Sequence, residues 1–222
     1  MKAVVVYSGG KDGHLALMRA LEDGAEIAGL LYLDGGKKHF DFFHDGRKTA
    51  LLRELAGRQG YKFFTVKVPE FRESAVFLES LRDFIAGKIG GATAVYLGLT
   101  DASPEAKAMP GRMAAIFRKR GLKCVFPLMG MSAEDVLGEL MKKGGRMLIT
   151  GVIGAGYYGW LGKVADVKFL RQAGKLRREG GDFQTLVLKS PVFRSELRIK
   201  GSRTVDTADE GRYLEILDWE VR

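Results

Sequence analysis

Short apolar runs and helically spaced leucines alternate through the first half of the chain. Lys2 to Tyr7 is a β-branched apolar run, and Ile27–Leu33, Lys62–Val68, Ala94–Leu97 and Lys123–Phe126 follow it as strand-like segments. Between them lie amphipathic stretches that predict helices over His14–Glu22, Arg47–Arg58, Ser74–Ile89 and Pro104–Arg120. Gly60 is placed to stop the second helix, and Pro110 is expected to interrupt the fourth. Strands that are apolar on both faces and separated by helices predict a parallel sheet covered on both sides. Right-handed crossovers make it a doubly wound, five-stranded α/β sheet. After Pro127 the texture changes. A helix over Ala133–Lys142 and a strand over Met147–Val152 precede a glycine-rich stretch, Gly151–Gly159, and a helix over Val164–Ala173. Strand signals at Thr185–Leu188, Leu197–Lys200 and Leu214–Val221 then suggest an antiparallel piece. The expected organisation is a nucleotide-binding domain over 1–127 and a smaller α+β domain over 128–222.

Composition narrows the class. The chain has 222 residues, 46% hydrophobic and 28% charged, as in ordinary globular proteins. No apolar run approaches a membrane span of about 20 residues. The apolar start is cut short by Gly-Gly-Lys-Asp and does not read as a signal peptide, so a cytoplasmic protein is expected. The single cysteine, Cys124, cannot make an internal disulfide or a cysteine-based zinc site, and is expected to be inert packing. One thiol also argues against sulfur-transfer chemistry, which needs a reactive pair. The formal charge of +9 suits RNA or an acidic partner, but equally a solvated basic surface.

The chemistry concentrates in Ser8-Gly9-Gly10-Lys11-Asp12, between the first strand and the first helix. Two glycines let backbone amides approach a phosphate, and the helix adds its N-terminal dipole. Lys11 supplies positive charge where a pyrophosphate would sit. Asp12 either holds the loop through its amides or positions a magnesium ion. The pattern is neither the P-loop of NTPases nor the dinucleotide fingerprint, and the bland reading is a tight strand-to-helix turn. His14, just inside the helix, is expected near the nucleotide. Asp101 follows the fourth strand, at a carboxyl end facing the same site. Tyr157, Tyr158 and Trp160 are candidates for an acceptor pocket or for packing. His14, His39 and His44 form no metal-ligand pattern.

The loop resembles the pyrophosphate-binding loop of the N-type ATP pyrophosphatases, where Ser usually stands at the position of Gly13. Further stretches are similar to the diphthine–ammonia ligases of that superfamily. Glu179-Gly180-Gly181-Asp182-Phe183-Gln184-Thr185 with Pro191-Val192-Phe193 resembles their Glu-x-Gly-Glu-Tyr/Phe-x-Thr signature, and Gly159–Asp166 and Phe126–Met129 resemble two upstream segments. Asp182 stands where the family has a second Glu. Gly98-Leu99-Thr100-Asp101 stands where it has Gly-Asp-Ile. The resemblance implies a HUP-like fold and an amide ligase using ATP and magnesium, with release of AMP and pyrophosphate. Its acceptor would be the diphthine carboxylate of translation elongation factor 2, and ammonia the nitrogen donor. It implies ATP contacts from Ser8 to His14 and Asp101, and substrate contacts from His44, Trp160, Glu179 and Thr185. Lys11, Asp12, Glu179 and Asp182 would be catalytic. Glu179 and Asp182 bind magnesium, orient ammonia or accept its proton, and the sequence does not choose among these. The alternatives are an AMP-forming enzyme that modifies tRNA and a non-enzymatic ATP-binding regulatory module. No membrane partner is expected, and self-association is left open.

Overall fold

The structure, a computed structural model, describes residues 1–34, 46–68, 75–100, 104–178, 181–207 and 211–222. The chain divides into two compact units, one comprising Met1–Ser8 and Asp12–Ala133 and the other Gly9–Lys11 and Glu134–Arg222.

In the first unit, five strands alternate with four helices: β1 (Lys2–Val6), α1 (Lys11–Glu22), β2 (Glu26–Asp34), α2 (Gly46–Arg58), β3 (Phe63–Lys67), α3 (Ala75–Lys88), β4 (Ala94–Tyr96), α4 (Pro104–Arg118) and β5 (Lys123–Val125). The strands form one sheet in the order β3-β2-β1-β4-β5, every pair parallel. The expected doubly wound α/β sheet is therefore present. The order reverses between β1 and β4, so the loops leaving those two strands flank the switch point where such sheets bind ligands. One sheet face buries Val4, Leu31 and Val95 against Leu81 and Ile85 of α3 and Phe117 of α4. Leu15, Leu17 and Met18 of α1 and Leu51, Leu52 and Leu55 of α2 are also buried core residues. Two differences from the sequence reading concern helix ends. α1 begins at Lys11, a turn earlier than its apolar periodicity announces. α4 runs through Pro110 without interruption, so the missing amide costs one hydrogen bond and not the helix. Gly60 does stop α2, with a φ of 79° and its amide on the Gly57 carbonyl at 3.0 Å.

The second unit holds α5 (Ala133–Lys142, largely within it), β6 (Arg146–Ile153), a 3-10 segment (Ala155–Trp160), α6 (Val167–Arg178), β7 (Asp182–Lys189), β8 (Leu197–Asp206) and β9 (Gly211–Val221). Its four strands make an antiparallel sheet in the order β7-β6-β9-β8. The helix expected over Val164–Ala173 is displaced. Val164 instead bridges to Leu148, and Asp166 caps α6 by accepting the Phe169 amide at 2.8 Å. Phe169, Ala173 and Phe183 are buried, and the two phenylalanine rings meet edge to face at 5.0 Å. Among the described residues, no helix is long and apolar enough to cross a membrane.

Candidate nucleotide loop

The chain leaves β1 at Val6 and enters α1 at Lys11, and the turn between them is buried at Gly9, Gly10 and Lys11. Gly9 has a φ of 81°, a left-handed conformation that an ordinary side chain adopts at a cost. The loop's middle is fixed by β7. The Gly9 carbonyl accepts the Val187 amide at 2.9 Å, and the Lys11 amide donates to the Thr185 hydroxyl at 3.0 Å. Thr185 is buried, so this bond is sheltered from water. Phe183 shares its face of β7, two residues earlier, and its ring centroid lies 5.0 Å from the Lys11 ammonium. Lys11 is only 7% exposed.

Where α1 begins, a second close approach shapes the loop. A Cβ at Gly98, just past β4, would lie 2.5 Å from the Asp12 carbonyl carbon and oxygen and 2.9 Å from the Gly13 nitrogen. A Cβ at Gly13 would meet the Val6 carbonyl oxygen at 3.1 Å. The first turn of α1 is thus held against the ends of β1 and β4, with no room for a side chain at Gly98 and a tight fit at Gly13. A helix start leaves its first amides without intrahelical partners, and here Lys11's is taken by Thr185. A helix N-terminus also carries the positive end of the helix dipole, which favours an anion beside the first turn of α1.

The other expected site residues fall in different places. Among the candidates, Lys11 and Thr185 are joined directly, by the bond from the Lys11 amide to the Thr185 hydroxyl. His14 does not present itself as a ligand contact. It is 0% exposed, shares a 3.3 Å hydrogen bond between its Nδ1 and the Tyr7 hydroxyl, and sits beneath the loop. Burial depresses its pKa to about 3 and raises that of Tyr7, so both are neutral at working pH. Asp182 is exposed at the start of β7, accepts the Phe183 amide at 2.8 Å, and has the opposite strand phase to Phe183 and Thr185. Trp160 donates its indole N–H to Gln172 at 2.9 Å and packs on Phe169 with ring centroids 5.2 Å apart. Its ring braces α6, which is the packing role open to it from the sequence. Glu179, Asp101 and His44, and with them His39, lie outside the described residues. Cys124 is half-buried and its thiol is pushed up to about 12, which leaves it protonated and a poor nucleophile. Among the described residues no cluster of three or more His, Cys, Asp or Glu could hold a metal ion, so a magnesium ion would depend on Asp12 together with substrate phosphates.

Sequence reading missed Gly98 and Phe183. Phe183 carries a usable signal, since strand period places it in phase with Thr185.

The buried imidazole has a measurable consequence. An unfolded His14 takes up a proton near pH 6.5, whereas the folded one refuses it until about 3. Its contribution to stability is thus complete above pH 6.5 and is lost as pH falls, by about 1.4 kcal/mol per pH unit. Denaturant midpoints measured from pH 7 to 5 should fall more steeply for the wild type than for His14→Gln. Equal slopes would show that His14 is protonated in the folded state.

No family model matches the chain, and no curated protein does. Among solved structures it is similar to a predicted subunit of tRNA methyltransferase from Methanocaldococcus jannaschii, with 15% identity, 86% of this chain and 98% of the other covered, and a TM-score of 0.49.

Proposed function

We propose that this chain is an ATP-dependent ligase that adenylates a carboxylate and amidates it with ammonia, releasing AMP and pyrophosphate. The acceptor in this reading is the diphthine carboxylate of translation elongation factor 2, named through the motif resemblance at Glu179–Thr185. The observation that supports the proposal is the tight Gly-Gly-Lys turn between β1 and the start of α1, at the switch point of the parallel sheet.

In the first step a carboxylate oxygen attacks the α-phosphorus of ATP and the bond to the β-phosphate bridging oxygen breaks. The acyl-adenylate forms and pyrophosphate leaves with the bond's electron pair. Phosphoryl and nucleotidyl transfers need positioning and charge neutralisation more than covalent help. The Ser8–Gly10 backbone and the Asp12 and Gly13 amides would hold the departing pyrophosphate, and Lys11 would neutralise its charge. Magnesium, when bound through Asp12, would supply further charge neutralisation on the phosphates. In the second step ammonia attacks the acyl carbon, the carbon–oxygen bond to AMP breaks, and the nitrogen loses a proton to a carboxylate or water. The motif resemblance would give Glu179 and Asp182 the handling of ammonia and its proton, with Asp182 acting from the exposed start of β7. Thr185 acts by holding the loop through the Lys11 amide.

The test is product analysis with ATP, magnesium, ammonium and unamidated elongation factor 2, each omitted in turn. AMP and pyrophosphate appearing only in the complete mixture is the expected result. ADP as product, or binding without turnover, would overturn the ligase assignment. AMP formation that requires unmodified tRNA instead would move the acceptor to nucleic acid.

A further inference from the structure

The helix α6 has a composition that its packing does not require. Val167–Arg178 contains Lys168, Arg171, Lys175, Arg177 and Arg178 and not one acidic residue. Its apolar side is consumed within the second unit. Phe169 and Ala173 are fully buried, and a Cβ at Gly138 of α5 would touch Leu170 at 3.4 Å. Among the described side chains of α6, that burial leaves only Val167 as an exposed apolar residue, which is too little for the usual reading of a basic amphipathic helix as a membrane or calmodulin ligand.

On that face Lys168, Arg171 and Lys175 are all exposed and follow one another at three and four residues. Helical rise separates them by about 4.5 and 6 Å along the axis, a single-signed row within side-chain reach of successive phosphates. Lys163 extends the basic surface before the helix, with its ammonium 5.5 Å from the ring centroid of Trp160. Trp160 is half-buried, donates its indole N–H to Gln172 of α6 and packs on Phe169, so its ring ties Lys163 to the start of the helix. A row of cations along one face is what tracks the phosphates of a single-stranded nucleic acid. A protein partner would need an apolar centre for its interface. Beyond Val167 in the first turn, the exposed described positions of α6 offer none.

We propose that the exposed face of α6, with Lys163 and Trp160 at its start, is a docking surface for single-stranded RNA, the polynucleotide that ordinarily presents unpaired stretches. The proposal rests on the charge and exposure of α6 and does not depend on the ligase reading.

The probe is labelled polyuridylate, titrated into the full chain over a range of salt concentrations. Each phosphate contact on a single strand contributes about 0.7 to the slope of log affinity against log salt. The variant Lys168→Gln/Arg171→Gln/Lys175→Gln should therefore lower the slope by about 2 and weaken binding about a hundredfold at 0.1 M salt. All three positions are exposed, so folding and ATP turnover should be unchanged. A control removes equal charge elsewhere, with Arg118→Gln/Lys119→Gln/Lys123→Gln, also exposed positions. The control should bind like the wild type. Equal loss in both variants would mean diffuse charge attraction and would overturn the assignment to α6. So would absence of polyuridylate binding at low salt, or equally tight binding of polyglutamate matched in charge, which would make the partner an acidic protein. Lys11→Met should keep RNA binding intact whatever its effect on ATP, so failure of one reading leaves the other standing.

Discussion

Replacing Lys11 with methionine is expected to lower AMP-forming turnover by about a thousandfold, the scale seen when one charge that stabilises a transferring phosphoryl group is removed. Methionine keeps an unbranched side chain of similar length and removes the ammonium, which lies 5.0 Å from the Phe183 ring centroid. The backbone amide, which is what Thr185 accepts from, is unaffected by the change. Melting temperature should stay within about 4 °C of the wild type. A side chain buried to this degree and retained for structure alone would give the opposite result, unchanged chemistry with altered stability. Turnover assays beside thermal unfolding separate the two. Wild-type turnover in Lys11→Met would remove the loop from the active site.

Gly98→Ala is the second large effect, and its cause is steric alone. The added methyl would lie 2.5 Å from backbone atoms of Asp12, which cannot swing aside as a side-chain tip can. Either β4 or the first turn of α1 must shift, at a cost of about 1–3 kcal/mol for overpacking. A shift of that turn moves the Asp12 and Gly13 amides, so ATP affinity should fall at least tenfold, as calorimetry would read it. Gly57→Ala is the contrast. It lies in α2 with nothing within 4 Å of its added methyl, and should stabilise by about 0.5–1 kcal/mol with ATP binding intact. If Gly98→Ala bound ATP normally, the close approach would play no part in shaping the loop.

The sheet was legible because a parallel strand is apolar on both faces and announces itself locally, as Lys2–Val6 does. The loop was legible for a similar reason, since Gly-Gly-Lys after a strand is a local pattern. The start of α6 was misplaced because Val164 and Ala165 continue the apolar texture, although Asp166 carried the correct capping signal. Gly98 was illegible as a site residue in principle. Its need to be glycine comes from the Asp12 backbone, distant in sequence, and close approach leaves no mark on the neighbouring residues. The depth of His14 was not legible, because helix position says nothing about burial. Only the fold shows that its face of α1 points inward to Tyr7. Glu179, Asp101 and His44 lie outside the described residues, and their roles stand on the motif resemblance.

The bonds from β7 to Gly9 and Lys11 also bear on how the protein is made. Lys11 and Thr185 are 174 positions apart. At a synthesis rate of about 5–20 residues per second, the ribosome needs roughly 10–35 seconds to deliver Thr185 after it has delivered Lys11. The five-stranded sheet can assemble from the emerged N-terminal part during that interval, but the turn lacks its anchors until the chain is nearly complete. The final conformation of the turn therefore arrives late in biosynthesis, and a nascent or truncated chain ending before β7 would carry the whole loop sequence without the strand that fixes it.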